Sequence, residues 1–329
     1  MKNQDQYQGC LVGGAAGDAL GYEVEFMRRR AILREFGQDG ITEYVLHHGK
    51  AVFSDDTQMT LCTADGLLNE EEPSRYIRSV RKAYLAWYAT QNKSFHSDMG
   101  SGLLDIPELF ARRAPGMTCM NALSQGGNGT PEEPLNDSKG CGGVMRTAPI
   151  GLVSLNAEQT VTIGAEAAAL THGHPLGWLP GGMFSEMIRL LAQEQYSIRD
   201  AAKSALETTE KIYPDTEYLS DFHDIIMNAL TLADQTGVPH EAVKEIGEGW
   251  VGDEALAIAI YCAAKFESDF DLCLKTAVNH DGDSDSTGAI AGNLLGAKIG
   301  LSGIPEKYQK NLELYDLLTQ MADRLYQKG

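Results

Sequence analysis

Residues Asp283–Gly300 read DSDSTGAIAGNLLGAKIG. Gly288, Gly292, Gly296 and Gly300 recur through this stretch at every fourth position. Positions i and i+4 share one face of an α-helix, so the glycines form a bare ridge. Each costs a helix about 1 kcal/mol relative to alanine, and close approach of a second helix is what offsets that cost. The spacing predicts a buried central helix with Asp283, Asp285 and Ser286 at its N-terminal end. Carboxylates suit that end, where the helix dipole and free N–H groups favour negative charge. One aspartate would cap the helix. With Asp281 the chain places three in five positions.

A second cluster has the same form. FSDDTQM puts Ser54, Asp55 and Asp56 directly before another helical pattern. Two acidic helix starts either stay apart as separate caps or meet around cations. Four aspartates balance two divalent ions in formal charge. Carboxylate and hydroxyl oxygens select hard ions such as Mg²⁺, Mn²⁺ or Ca²⁺, and no Cys/His set has zinc spacing. Two familiar motifs fail. An EF-hand loop counted from Asp281 would need Gly at Ser286 and Glu at Gly292. DSDST matches an aspartate-nucleophile phosphatase pattern, but LKTAVNH before it is a poor strand.

The rest of the chain fits an all-α protein. Helical spacing recurs in TQMTLCTADGLL, SRYIRSVRKAYLAWYA, AEQTVTIGAEAAAL, GGMFSEMIRLLAQEQ, SIRDAAKSALETTEKIY, EYLSDFHDIIMNALTLAD, DEALAIAIYCAAKF and ELYDLLTQMADRLY. ITEYVL is the one fair strand candidate, and residues 115–143 form the longest irregular region, of a length that is often functional. The 329 residues carry 46 acidic and 27 basic side chains, a net charge of -19. That balance argues against nucleic-acid or anionic-membrane partners, which need Lys and Arg. Six scattered cysteines without a CxxC pair read as reduced, mostly buried thiols of a cytoplasmic protein. The polar start lacks the apolar segment of a signal peptide. The run ALAIAIYCAA is too short for a membrane span of about 20 residues. GGAAGDALG is neither a dinucleotide fingerprint nor a P-loop and signals close packing. Asp18 within it reads as a backbone hydrogen-bonding residue. Met145, Met183 and Met187 read as core, and Trp178 as either rim or core.

GGAAGDALGYEVEF, SDDTQM, GCGGVMRTAPIGL, THGHPLG, GWVGDEALAIAIYC and GDSDSTGAIAG follow one another from Gly13 to Gly292. Each is weak singly, but as an ordered set they resemble the ADP-ribosylglycohydrolase family. The resemblance implies a single compact orthogonal helical domain over residues 1–329, with a di-metal cleft at helix N-termini. It implies two Mg²⁺ ions, with Mn²⁺ as a substitute, held by Ser54, Asp55, Asp56, Asp283, Asp285 and Ser286. Asp281 lies outside that ligand pattern. Asp55, Asp56 and Glu25 are the catalytic candidates. Asp98 resembles an acidic loop position of the bacterial branch, and Gly140, Cys141, Gly142 and Gly143 resemble the loop that wraps ADP-ribose. His172 matches the histidine lining the nucleotide pocket. The implied activity is removal of ADP-ribose from modified protein side chains, arginine first because Cys141 is similar to the arginine-directed branch. The implied partners are an ADP-ribosylated protein and a cognate ADP-ribosyltransferase. The alternatives are hydrolysis of serine-linked or free ADP-ribose derivatives, and an immunity protein that neutralises a transferase toxin. A long N-terminal arm would serve such blocking, and only about a dozen residues precede the Gly13 motif.

Overall fold

The computed structural model describes residues 3–95 and 102–328. Fifteen α-helices make up most of it, and no strand occurs among the described residues. In order they are α1 (Gln4–Gly21), α2 (Arg29–Phe36), α3 (Asp55–Leu68), α4 (Tyr76–Thr90) and α5 (Met117–Ser124). Then come α6 (Ala157–Ala169), α7 (Pro175–Glu194), α8 (Ile198–Ile212), α9 (Leu219–Asp234) and α10 (Pro239–Ile246). The chain ends with α11 (Gly252–Lys265), α12 (Phe270–Val278), α13 (Ser284–Ile299), α14 (Glu306–Gln309) and α15 (Tyr315–Lys328).

The glycine ridge of α13 meets a second ridge on α1, which runs antiparallel to it. A Cβ on Gly17 would lie 1.9 Å from Gly288 O, one on Gly13 2.3 Å from Gly292 O, and one on Gly9 2.3 Å from Gly296 O. The reverse holds equally: Cβ atoms at Gly292 and Gly296 would each come within 2.0 Å of a backbone oxygen of α1. The axes therefore approach until backbone touches backbone. Asn293 Nδ2 donates to Cys10 O across the seam, at 2.8 Å. Because the helices are antiparallel, the C-terminus of α1 lies beside the N-terminus of α13, with Gly21 against Ser284 O. Glu25, four residues further on, is thereby delivered to the acidic end of α13.

α1 also sets α3. Asp18 is fully buried and accepts from Ser54 N (2.8 Å), Thr57 N (2.9 Å) and Thr57 Oγ1 (2.5 Å). It thus satisfies two of the free N–H groups at the start of α3. α11 packs against α13, α9 and α7, and its apolar run from Ala255 to Ala264 is buried throughout. Fully burying each Leu or Ile there contributes roughly 1.5–3 kcal/mol. Met145, Met183 and Met187 are core, as is Trp178, which meets Tyr213 edge-on.

Two expectations need correction. ITEYVL is irregular, not a strand. Ile41 N donates to Asn279 Oδ1 (2.8 Å) and Ile41 O accepts from Asn279 Nδ2 (2.9 Å), and no neighbouring strand is present among the described residues for it to pair with. The 115–143 region contains α5, so it is not wholly irregular. The phosphatase alternative also loses its context, since α12, not a strand, precedes Asp283. No helix among the described residues is long and apolar enough to cross a membrane.

Candidate active site

Three segments converge on a cavity of about 320 Å³. The first is the α3 N-terminus, where Ser54 caps the helix by accepting from Asp56 N at 3.2 Å. Asp55 Oδ2 accepts from Gly116 N at 3.3 Å, and Asp56 Oδ2 is buried with no hydrogen-bond partner. The second is the α13 N-terminus. Asp283 is its cap, and Asp285 Oδ1 accepts from Ser286 N at 2.9 Å. The third is the turn after α1, carrying Glu25 and Phe26.

The two acidic clusters meet. Asp283, Asp285 and Ser286 of one line the same space as Asp55 and Asp56 of the other, and Glu25, Asp283 and Asp285 each present an oxygen within 4.8 Å of the others. All five carboxylates are buried, and none of the ion pairs among the described residues involves them. The electrostatics follow. Burial pushes Asp55, Asp56 and Asp285 well above the carboxylate range, and neighbouring carboxylates push them further. Burial and then Asp285, Asp283 and Asp55 raise Glu25 in the same way. Asp18 behind them is pushed up to about 7 by burial and by Asp285. Glu25 Oε2, like Asp56 Oδ2, is buried without a partner. Five crowded acids, two orphaned oxygens and two helix N-termini form a donor set that suits hard divalent cations.

The wall beside α13 is the Gly140–Gly143 segment. Its backbone is pinned to the α11 entry by Cys141 N to Trp250 O (3.2 Å) and Gly252 N to Lys139 O (2.8 Å). That brings Cys141 Sγ to 2.7 Å from Asp283 Oδ2, as donor. Cys141 is partly exposed, while the other five cysteines are buried, and all six are free thiols. His172 stands behind Gly140 and Gly142. Burial and then Arg146 push it down to about 3, so the imidazole is neutral. Thr171 Oγ1 accepts from Arg146 at 2.6 Å and lies 2.8 Å from His172 Nδ1. Where the hydroxyl donates to Nδ1, Nε2 carries the proton, on the side of Gly140 and Gly142. His174 acts differently, because its Nδ1 caps α7 by accepting from Leu176 N at 3.1 Å.

Asp281 is outside the cavity lining and accepts from Arg29 N at 2.8 Å, at the start of α2. Asp98 lies outside the described residues. Gly143 is buried against Gly177 and does not line the cavity. Sequence reasoning missed the rim. Phe26 (75% exposed), Met117 (65%) and Trp250 (39%) line the mouth. Phe26 and Trp250 stack with centroids 6.1 Å apart. Both lie inside the ordered motifs, GYEVEF and GWVGDEAL, but an exposed aromatic and a core one look alike in sequence.

The family model described as ADP-ribosylglycohydrolase matches residues 1–329. Human "ADP-ribosylhydrolase ARH3" is 25% identical, with 100% of this chain and 95% of the relative covered. "ADP-ribosyl-[dinitrogen reductase] glycohydrolase" of Rhodospirillum rubrum is 26% identical, with 94% and 91% covered. A solved structure titled "ADP-ribosylglycohydrolase-related protein complex" superposes with a TM-score of 0.69 at 22% identity, over 99% of this chain and 98% of that one.

Proposed function

The chain belongs to the ADP-ribosylglycohydrolase family, and on that premise we propose that it is a divalent-metal-dependent hydrolase releasing ADP-ribose from modified arginine in proteins. The whole chain acts as one catalytic unit in this reading. The observation that carries it is the set of five buried carboxylates without a basic partner. Ser54, Asp55, Asp56, Asp283, Asp285 and Ser286 would hold two Mg²⁺ ions, with Mn²⁺ as a substitute. Bound there, the ions would supply positive charge to neutralise the acids and Lewis acidity toward sugar hydroxyls and water.

The protein's own groups account for the rest of the chemistry. A guanidinium is cationic at ordinary pH, and its ADP-ribosylated form keeps that charge. It departs as neutral guanidine without prior protonation. What remains is to stabilise positive charge building at ribose C1″ and to take a proton from the attacking water. The carboxylates favour that positive charge. Asp56, which lines the cavity and has one oxygen without a protein partner, is the candidate acceptor for the water's proton, with Asp55 beside it. The His172 Nε2–H and the Gly140–Gly142 backbone bind the ADP-ribose. A second reading, hydrolysis of the serine linkage, draws on Glu25. Its position among four other acids favours retention of a proton, which a departing serine alkoxide requires and guanidine does not.

Incubation with arginine-, serine- and asparagine-linked ADP-ribose, with and without EDTA, tests both readings. EDTA-sensitive release from arginine supports the first, and release from serine alone supports the second. Release indifferent to EDTA, or none from any linkage, would remove the metal-hydrolase reading.

A further inference from the structure

Beyond the carboxylate cavity lies a larger groove of about 1180 Å³. Phe26 and Ala114 line both spaces. Arg113 ties them covalently and by hydrogen bonds. Its carbonyl accepts from Asp55 N at 3.2 Å, while its guanidinium lines the groove, held by Glu313 and by Phe53 O (2.9 Å). The groove is therefore continuous with the loop that presents Asp55 to the cavity. Gly140–Gly143 and His172, the segment and side chain assigned to ADP-ribose, do not line it.

The groove is shaped by an unusual backbone. His48, Ala114, Asn311 and Leu314 line it with φ of 52°, 50°, 65° and 52°. Among the described residues only Gln195 and Tyr218 share that left-handed conformation without being glycine. Side chains rarely adopt it, and it persists where the surroundings over-determine it, often at binding sites. Ala51 N to Asn311 O (2.9 Å) and Glu313 N to Ala51 O (3.0 Å) lock the two sides together.

The charges favour one kind of occupant. Glu313 is matched by Arg113, and Glu23 pairs with His47. Glu108 and Asp316 are exposed and have no ion pair among the described residues, against Lys50 alone on the basic side. We propose that this groove seats the polypeptide flanking the modified residue of the target protein, and that it prefers flanks rich in Lys and Arg. The proposal rests on the reading of the chain as a hydrolase of ADP-ribosylated protein.

The test compares two substrates: ADP-ribosyl-arginine as the free amino acid, and a peptide carrying ADP-ribosyl-arginine between Lys-rich flanks. The unsubstituted chain should cleave the peptide with the higher kcat/KM, and added salt should erode that advantage. In the double variant Glu108→Lys/Asp316→Lys, the peptide-to-amino-acid ratio of kcat/KM should fall about three- to tenfold, mainly through KM. A peptide with Glu-rich flanks should move the other way. Thermal unfolding of the variant checks that the fold is kept, and Glu108→Gln/Asp316→Asn should give an intermediate ratio. A ratio unchanged by both variants and by salt overturns the groove while leaving the hydrolase standing. Cleavage of neither substrate by the unsubstituted chain overturns the hydrolase and the groove together.

Discussion

The seam between α1 and α13 and the cavity at its end are built on opposite terms. Along the seam, side chains have been deleted until backbones touch: Gly9 faces Gly296, Gly13 faces Gly292 and Gly17 faces Gly288. At the end of the same helix pair, Glu25, Asp283 and Asp285 crowd like charges together. The seam contributes close packing and tolerates nothing larger. The cavity gathers acids that burial and their neighbours push up, with no basic partner among the described residues. Stability and function are thus separated along one pair of helices, and the rigid part positions the strained part.

That separation is most exposed where the seam is given a side chain. Gly292→Leu would drive a Cβ to 2.0 Å from Gly13 O, a backbone atom that cannot swing aside. Overpacking commonly costs about 1–3 kcal/mol and sometimes more. With backbone on both sides, we expect a loss beyond about 3 kcal/mol. Circular dichroism and thermal unfolding of Gly292→Leu beside Gly237→Leu, where a Cβ meets nothing within 4 Å, would check it. Equal behaviour of the two would mean that the helices do not pack as described.

The cavity should respond in the opposite sense. Asp55→Ala and Asp285→Ala each remove one member of a mutually repelling set. In EDTA both variants should unfold at a higher temperature than the unsubstituted protein, because the repulsion is relieved. In Mg²⁺ both should lose activity by about 100-fold or more, as expected when a metal site is disrupted. They should also lose the stabilisation that bound ions give, about 2.7 kcal/mol at a hundredfold excess over Kd. Variants that are less stable in EDTA, or fully active in Mg²⁺, would contradict the account of the cavity.

Much of this was legible in the sequence, and the omissions share a cause. The fourfold glycine spacing of residues 288–300 announced a buried helix. The same spacing recurs in its partner at Gly9, Gly13, Gly17 and Gly21 and went unread, because α1 does not stand out as amphipathic, being buried on nearly every side. Helical periodicity reports one-sided burial, so a helix enclosed by others gives little signal. Ser54–Asp56 and Asp283–Ser286 were visible as paired acidic caps. Glu25 came only through the resemblance, because its place depends on the antiparallel sense of α1 and α13. The rim and the groove depend on exposure and on loop geometry, and neither has a period in the sequence.

The gain expected between pH 8 and 7 is the smallest effect, and it separates the acids from the buried imidazoles. The cavity carboxylates and Asp18 behind them bind protons more tightly folded than unfolded, and Asp18 moves from 3.8 to about 7. In EDTA, lowering the pH from about 8 to 7 should therefore protonate the folded state first and raise stability. His172 and His280 act with the opposite sign. Burial lowers them from 6.5 to about 3 and about 4, with Arg146 adding to the effect at His172. The unfolded chain takes up those protons as pH falls through 6.5, and the folded chain does not until far lower. Each histidine thus withdraws up to about 1.4 kcal/mol per pH unit over that lower range. With Mg²⁺ bound, the carboxylates are held ionised and the gain between pH 8 and 7 should vanish, leaving only the decline through 6.5. Denaturant midpoints measured across pH in EDTA and in Mg²⁺ give the comparison. Identical curves would mean that the acids and the ions do not meet, whereas a rise confined to the chelated protein ties the repulsion to the cavity that the seam holds in place.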